Sequence, residues 1–159
     1  MKGAESQLQR EIRQRRPFRS RRHEGAIGLL RTADLFHRAI TRVVEPLCIT
    51  AQQYNVLRIL RGAGSDGLPT LDIADRMVEQ SPGITRLLDR LEAKKLARRE
   101  RCPRDRRQVL CYVTPAGREL LDRLEEPVQD LDDRLLGGVS GGDLNRLIRI
   151  LDAVRASLE

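Results

Sequence analysis

QSPGITRLLDRLEAKKLARRERCPRDRRQVLCYVTP, residues Gln80 to Pro115, decides the fold. It opens like a helix start. Ser81 can cap the exposed amides, and Pro82 sits where a missing N–H costs nothing. Ile84, Leu87, Leu88 and Leu91 recur at helical spacing and predict one buried face. Thr85, Arg86, Asp89 and Arg90 fall on the opposite face. Past Lys94-Lys95 the pattern becomes a short strand, a basic tip from Pro103 to Arg107, and a second strand over Val109–Val113. In that strand Val109, Cys111 and Val113 share one face, and Leu110 and Tyr112 the other. An arginine-faced helix followed by an arginine-tipped hairpin has the form of a DNA-reading unit. Between Thr85 and Arg107 ten Arg and Lys residues face only Asp89, Glu92, Glu100 and Asp105. Such an excess is what phosphate neutralisation with counterion release requires.

Working outward, two short segments lead into this unit. Pro69 opens a helix carrying Leu71, Ile73, Ala74 and Met77, and a four-residue gap separates it from the helix at Pro82, as in a helix-turn-helix. Upstream, Thr50 with Gln53 three residues on forms a capping box, and Tyr54, Leu57 and Leu60 continue a buried face. Gly62 to Gly67 reads as a loop. Glu24 to Leu47 is predicted as one long helix with a wide apolar stripe (Ala26, Leu29, Leu30, Ala33, Phe36, Ile40, Val43, Leu47), disrupted at its end by Pro46. Beyond the hairpin, Thr114 caps and Pro115 starts a helix running to about Leu136, kinked by Pro127. Gly137-Gly138 break it. Ser140 and Asp143 resemble a capping box, and Leu144, Leu147, Ile148, Leu151, Val154 and Leu158 stripe a last helix.

The fold class expected is mainly α with a small β-hairpin: a winged helix-turn-helix over about residues 50–114, and dimerisation helices over about 24–47 and 115–158, together forming a single domain over 23–159. The terminal stripes are too long for so small a winged unit to cover, so a homodimer is expected, with an intramolecular bundle as the other reading. Residues 1–22 form a basic extension, with Lys2 and seven arginines against Glu5 and Glu11. Gln7 to Arg16 can form a short helix ended by Pro17, or the segment can be a disordered tail; either adds phosphate contacts.

Composition narrows the function classes. The 159 residues carry a net charge of +7, which suits a polyanionic partner. No apolar run is long enough to span a bilayer, and no apolar segment follows the basic N-terminus, so a cytoplasmic protein with no membrane partner is expected. Cys48, Cys102 and Cys111 are odd in number and lack CxxC spacing, which argues against disulfides and zinc. Two Phe, two Tyr and no Trp disfavour base stacking on single strands. His23 and His37 belong to no catalytic or metal-binding motif, so neither an enzyme nor a cofactor is expected. Cys48 and Cys111 are read as small core residues. Cys102, among Arg99, Arg101 and Arg104, would have a lowered pKa if exposed, and a cysteine redox sensor is one alternative. An architectural, nucleoid-type DNA binder without an effector is another.

IADRM (Ile73–Met77), ITRLLDRLEAKKLARRE (Ile84–Glu100) and PRDRRQVLCYVTPAG (Pro103–Gly117), with LCITAQQYNVLRIL (Leu47–Leu60) upstream, closely resemble the multiple-antibiotic-resistance regulator (MarR) family. The resemblance implies winged helix-turn-helix homodimers that bind palindromic double-stranded operators, usually as repressors. It also implies release by small aromatic or phenolic effectors or by cysteine oxidation. By resemblance, the helix from Ser81 enters the major groove. Asp105, Arg106 and Arg107 match the wing motif, whose last arginine reaches the minor groove while Asp105 orients its basic neighbours. Arg99 matches the basic residue at the wing's base. The DNA-binding set is then Ser81, Thr85, Arg86, Arg90, Arg99, Arg104, Asp105, Arg106 and Arg107. An effector pocket would draw on Phe36, His37, Tyr54 and Arg58, with a partly buried structural role as the other reading of His37. The thiol of redox-sensing members, near the start of the first long helix, has no counterpart before Cys48. Two positions depart from the pattern. Lys95 stands where many members have Gly, and either adopts positive φ at a cost of roughly 1 kcal/mol or ends the helix differently. Gln80 stands at a cap position often held by Ser, so Ser81 shifts the start by one.

Overall fold

The computed structural model describes residues 5–79, 83–102, 105 and 108–158. The chain divides into two compact units, Met1–Ile40 and Thr41–Glu159. In the first, α1 (Gln7–Glu11) is capped by the Ser6 hydroxyl, which accepts from the Gln9 amide at 3.2 Å. This helix ends before Pro17, because Arg13 turns to φ 52°. The long α2 (Arg21–Val44) starts three residues earlier than the apolar stripe suggested, because the Ser20 hydroxyl accepts from the His23 amide at 3.1 Å. It ends at Val44, where Pro46 enforces a 3-10 turn over Glu45–Leu47.

The second unit holds the winged core. α3 (Ala51–Gly62) carries the expected capping box: the Gln53 amide donates to the Thr50 hydroxyl at 3.1 Å, and the Thr50 amide to the Gln53 side chain at 3.0 Å. β1 (Leu68–Pro69) and α4 (Thr70–Asp75) follow. Then come α5 (Ile84–Ala93), β2 (Ala97–Arg101) and β3 (Val109–Val113). The three strands form one antiparallel sheet in the order β1-β3-β2, with Ala97 opposite Val113 and Leu68 opposite Cys111. β1 was not expected from the sequence; a two-residue strand carries no alternation to detect. Val56, Leu57, Leu60, Ile73, Leu88, Leu91, Cys111, Leu121 and Leu124 are almost wholly buried and form the core. Each large aliphatic side chain among them contributes about 1.5–3 kcal/mol on burial.

α5 was expected to start at Ser81-Pro82, which lie outside the described residues. The described helix begins at Ile84, and its N-cap, Gly83, makes no side-chain capping bond. At the other end Lys95 does adopt positive φ, 59°. The Lys95 amide donates to the Glu92 carbonyl at 2.8 Å and the Leu96 amide to the Leu91 carbonyl at 2.9 Å. These two bonds define a Schellman motif, with Lys95 at the position glycine favours and buried Leu91 and Leu96 as its apolar pair.

α6 (Pro115–Leu136) is capped by Thr114, whose hydroxyl accepts from the Gly117 amide at 3.1 Å and donates to the Lys95 carbonyl at 2.7 Å. Pro127 sits within α6 without breaking it. α7 (Gly141–Ala156) is capped by Ser140, but the expected reciprocal box is incomplete. The Asp143 carboxylate accepts the Ser140 hydroxyl at 2.8 Å instead of the Ser140 amide. Aspartate is one methylene shorter than the glutamate that makes the return bond in a full capping box.

No residue of α7 is buried, and Leu147, Ile148, Ile150 and Val154 are exposed. In the first unit Leu29, Leu30 and Leu35 are likewise exposed. Cys111 is buried as expected, but Cys48 is exposed. It occupies a left-handed position, φ 57°, that closes the 3-10 turn, and its side chain does not reach the core. Among the described residues no helix is long and apolar enough to cross a membrane.

Because Lys95 holds a conformation that glycine adopts at no steric cost, Lys95→Gly should raise stability by about 1 kcal/mol. Urea denaturation checks this. Unchanged or lowered stability would mean that the lysine side chain compensates for the backbone.

Candidate nucleic-acid interface

α5 presents two chemically distinct faces. Leu87, Leu88 and Leu91 are buried, while Thr85, Arg86, Asp89 and Arg90 are exposed. Among the described residues no carboxylate pairs with Arg86 or Arg90, so both guanidinium groups keep their donors for an external acceptor. Thr85 and Arg86 stand in the first turn, where the helix dipole favours anions.

Arg99 is placed differently from the other arginines. Its Nε donates to Glu92 Oε2 at 2.9 Å, and one terminal nitrogen donates to Glu92 Oε2 and to Asp89 Oδ1, each at 2.6 Å. The Arg99 backbone amide donates to the other Glu92 oxygen at 3.1 Å. Glu92 therefore holds both the main chain and the side chain of β2 against α5. The hydrogen bonds that Arg99 donates to Glu92 and then Asp89 raise its pKa. Both α5 carboxylates are engaged with a half-buried residue at the wing's base, so α5 shows a net positive face to solvent.

Arg98 points to the opposite side of β2, stacks over the Tyr112 ring at 4.3 Å and pairs with Glu100. A side chain at Gly67 would come within 2.5 Å of the Tyr112 ring, so that turn needs glycine both for space and for its φ of 68°. Asp105 is exposed, and its carbonyl accepts from the Gln108 amide at 3.0 Å. Ser81, Arg104, Arg106 and Arg107, four of the expected DNA-binding residues, lie outside the described residues. One interaction missed in the sequence is that of Asn55, whose side chain accepts the Val78 amide at 2.9 Å and ties α3 to the chain leaving α4. An asparagine inside a buried stripe was its only signal.

The expected effector residues fall in different units. Phe36 is half-buried and His37 exposed in the first unit, so the partly buried reading of His37 does not hold. The helix turns His37 away from its apolar stripe. In the second unit the Arg58 guanidinium lies 5.8 Å from the centre of the Tyr54 ring, and burial raises the Tyr54 pKa. Burial likewise raises the Cys111 thiol, which lies 3.9 Å from the Thr70 hydroxyl and is correspondingly unreactive. Among the described residues no cluster of His, Cys, Asp or Glu could hold a metal ion.

The chain is similar to known proteins in sequence and fold. The MarR family model matches residues 49–109, which span the winged core. The multiple antibiotic resistance protein MarR of Salmonella typhimurium is 30% identical over 118 residues, covering 74% of this chain and 81% of the relative. The chain belongs to the MarR family. It is a DNA-binding transcription regulator with a winged helix-turn-helix fold. The crystal structure of a MarR transcription factor from Planctomyces limnophilus is 40% identical with a TM-score of 0.65, over 86% of this chain and 99% of that one. A mutant of MarR from E. coli, solved in complex with operator DNA, is 27% identical with a TM-score of 0.71, over 79% and 90% of the two chains.

If the Arg99 bridge is an energetic unit, Arg99→Ala and Glu92→Gln should each lower stability by about 0.5–1.5 kcal/mol, and the double variant by less than their sum. A denaturation cycle measures the coupling. Full additivity would show that the bridge contributes nothing.

Proposed function

We propose that this chain is a homodimeric repressor that binds a palindromic operator and leaves it when a small aromatic or phenolic effector binds. It works in the cytoplasm and catalyses no reaction. The observation that carries the DNA half is the exposed pair Arg86, in the first turn of α5, and Arg90, in its last, without a carboxylate partner among the described residues, in a chain similar to one solved on operator DNA. Arg86 offers a paired donor to a guanine edge, with Thr85 beside it and Arg90 on the phosphates; Ser81 is assigned to the same DNA contact. In this reading the basic sequence Arg104, Asp105, Arg106 and Arg107 contacts the flanking DNA, with Arg107 binding in the minor groove. Arg99 supports the wing through Glu92, and its remaining donors serve the backbone. The effector half is supported by the Arg58–Tyr54 pair of the second unit. It is also supported by the lack of a cysteine before Cys48, which disfavours the redox alternative.

A homodimer is supported by the exposed apolar residues of α2 and α7. Leu151 lies within the α7 stripe, and Leu151→Asp would put an unpaired charge into that interface. Sedimentation of this variant should show monomer or unfolded chain. A dimer as stable as the wild type would remove α7 from the interface.

The function itself is tested by titrating variants against an operator library at two salt concentrations. Arg86→Ala should cost about 1–3 kcal/mol and relax preference at one position in each half-site. Arg107→Ala should act on the flanking base pairs and lower the salt slope by roughly one unit per phosphate released. Unchanged flank preference would take the wing off the DNA. Uniform coating of any duplex would favour the architectural reading. The same operator complex, challenged with aromatic acids and with peroxide, should respond to the acids; release by peroxide alone would point to Cys102.

A further inference from the structure

The segment ahead of α2 carries a feature that the winged core does not use. Arg13, Arg15, Arg16, Arg19, Arg21 and Arg22 are all exposed, and no acidic residue lies between Ile12 and Arg22. Only Arg21 has a carboxylate partner among the described residues, Glu24 at 3.6 Å. A free tail of this composition would explain itself as a solvated charge run. This segment is instead folded onto its own unit. A Cβ at Gly28 of α2 would lie 3.5 Å from the Leu8 side chain, so α1 sits close on α2. Phe18 packs edge-on against His23 of α2, with ring centres 5.7 Å apart. Between these anchors the Gln14 amide donates to the Gln9 carbonyl at 3.0 Å, the Gln9 side chain to the Gln14 carbonyl at 3.2 Å, and the Gln14 side chain to the Arg16 carbonyl at 2.7 Å. Arg13 at φ 52° makes the turn that allows them.

We propose that Arg13, Arg15, Arg16, Arg19 and Arg22 form a second phosphate-binding surface, which grips the backbone of the operator duplex without reading its sequence. The proposal rests on the chain being a DNA-binding regulator. Like charges crowded onto a folded loop repel one another, and a polyanion relieves that repulsion while releasing counterions. The guanidinium fork fits phosphate oxygens in pairs. Because the loop is already stitched to α2, gripping phosphate costs less ordering than it would for a flexible tail. An anionic membrane surface suits the segment less well. Surface-lying helices present a long apolar face, whereas α1 spans five residues and Phe18 is engaged with His23.

The test compares the full-length protein with a variant carrying Gln at positions 13, 15, 16, 19 and 22. Both are titrated against a duplex holding the selected operator and flanking DNA, over a range of salt concentrations. The variant should keep the wild-type base preferences and thermal unfolding profile. Its salt slope should fall by about 0.9 for each phosphate it no longer neutralises, and its affinity at low salt by roughly tenfold or more. Equal slopes for the two proteins would overturn the proposal. So would altered base preferences, which would mean that the segment reads sequence or supports the reading unit. Anionic vesicles that retain the wild type but not the variant, with DNA slopes unchanged, would assign the surface to lipid instead. Failure of the wild type to select any operator would strike the proposed regulator function, and is distinct from all of these results.

Discussion

The winged core depends on the two peptide groups of Lys95 and Leu96. The Leu96 amide closes the end of α5 on the Leu91 carbonyl, and the Leu96 carbonyl accepts the Thr114 amide at 3.1 Å. One residue earlier, the Lys95 carbonyl takes the Thr114 hydroxyl that also caps α6. A Cβ on Gly117 would collide with the Leu96 carbonyl, so α6 can approach this point only with glycine there. Four elements (α5, β2, β3 and α6) are therefore fixed around a few atoms. The angle between α5 and the hairpin follows from backbone hydrogen bonds that mutation of surface arginines would leave intact.

Electrostatics around this joint separate two kinds of arginine. Arg99 is held by Glu92 and Asp89, which engages both α5 carboxylates at the base of the wing and offsets one of their two negative charges. Arg86 and Arg90 have no carboxylate partner among the described residues. Identical side chains on adjoining elements thus have opposite employment, decided by whether an acidic group lies within reach on the neighbouring element. The first unit repeats the second kind in Arg13, Arg15, Arg16 and Arg19, which project from a segment whose sequence offers no acid to neutralise them.

The outline of the fold was legible because each element carries its own local chemistry. The Thr50–Gln53 box, the Thr114-Pro115 start, the alternation of Val109 to Val113 and the leucine spacing of α5 act over four or five residues, within the range a sequence pattern can report. Positive φ at Lys95 was foreseen as one of two outcomes, because the buried Leu91 and Leu96 that decide it lie on either side of the turn. Where reading failed, the cause lay outside the segment. Cys48 looked like a core residue by type, but the turn enforced by Pro46 placed it outside. Asp143 looked like a capping-box partner, yet its shorter side chain met the hydroxyl instead.

For the candidate site the division is sharper. Sequence alone determined that a basic helix precedes a basic hairpin, and that the terminal helices carry long apolar stripes. Both are properties of composition and period. Only the tertiary structure decided which charges remain available. Asp89, Glu92 and Arg99 are separated by up to ten residues, and their pairing exists because the α5 cap turns β2 back along the helix. Hydrogen-bond partners that meet across a turn leave no periodic trace in the chain, since the geometry joining them is set by the backbone of the residues between.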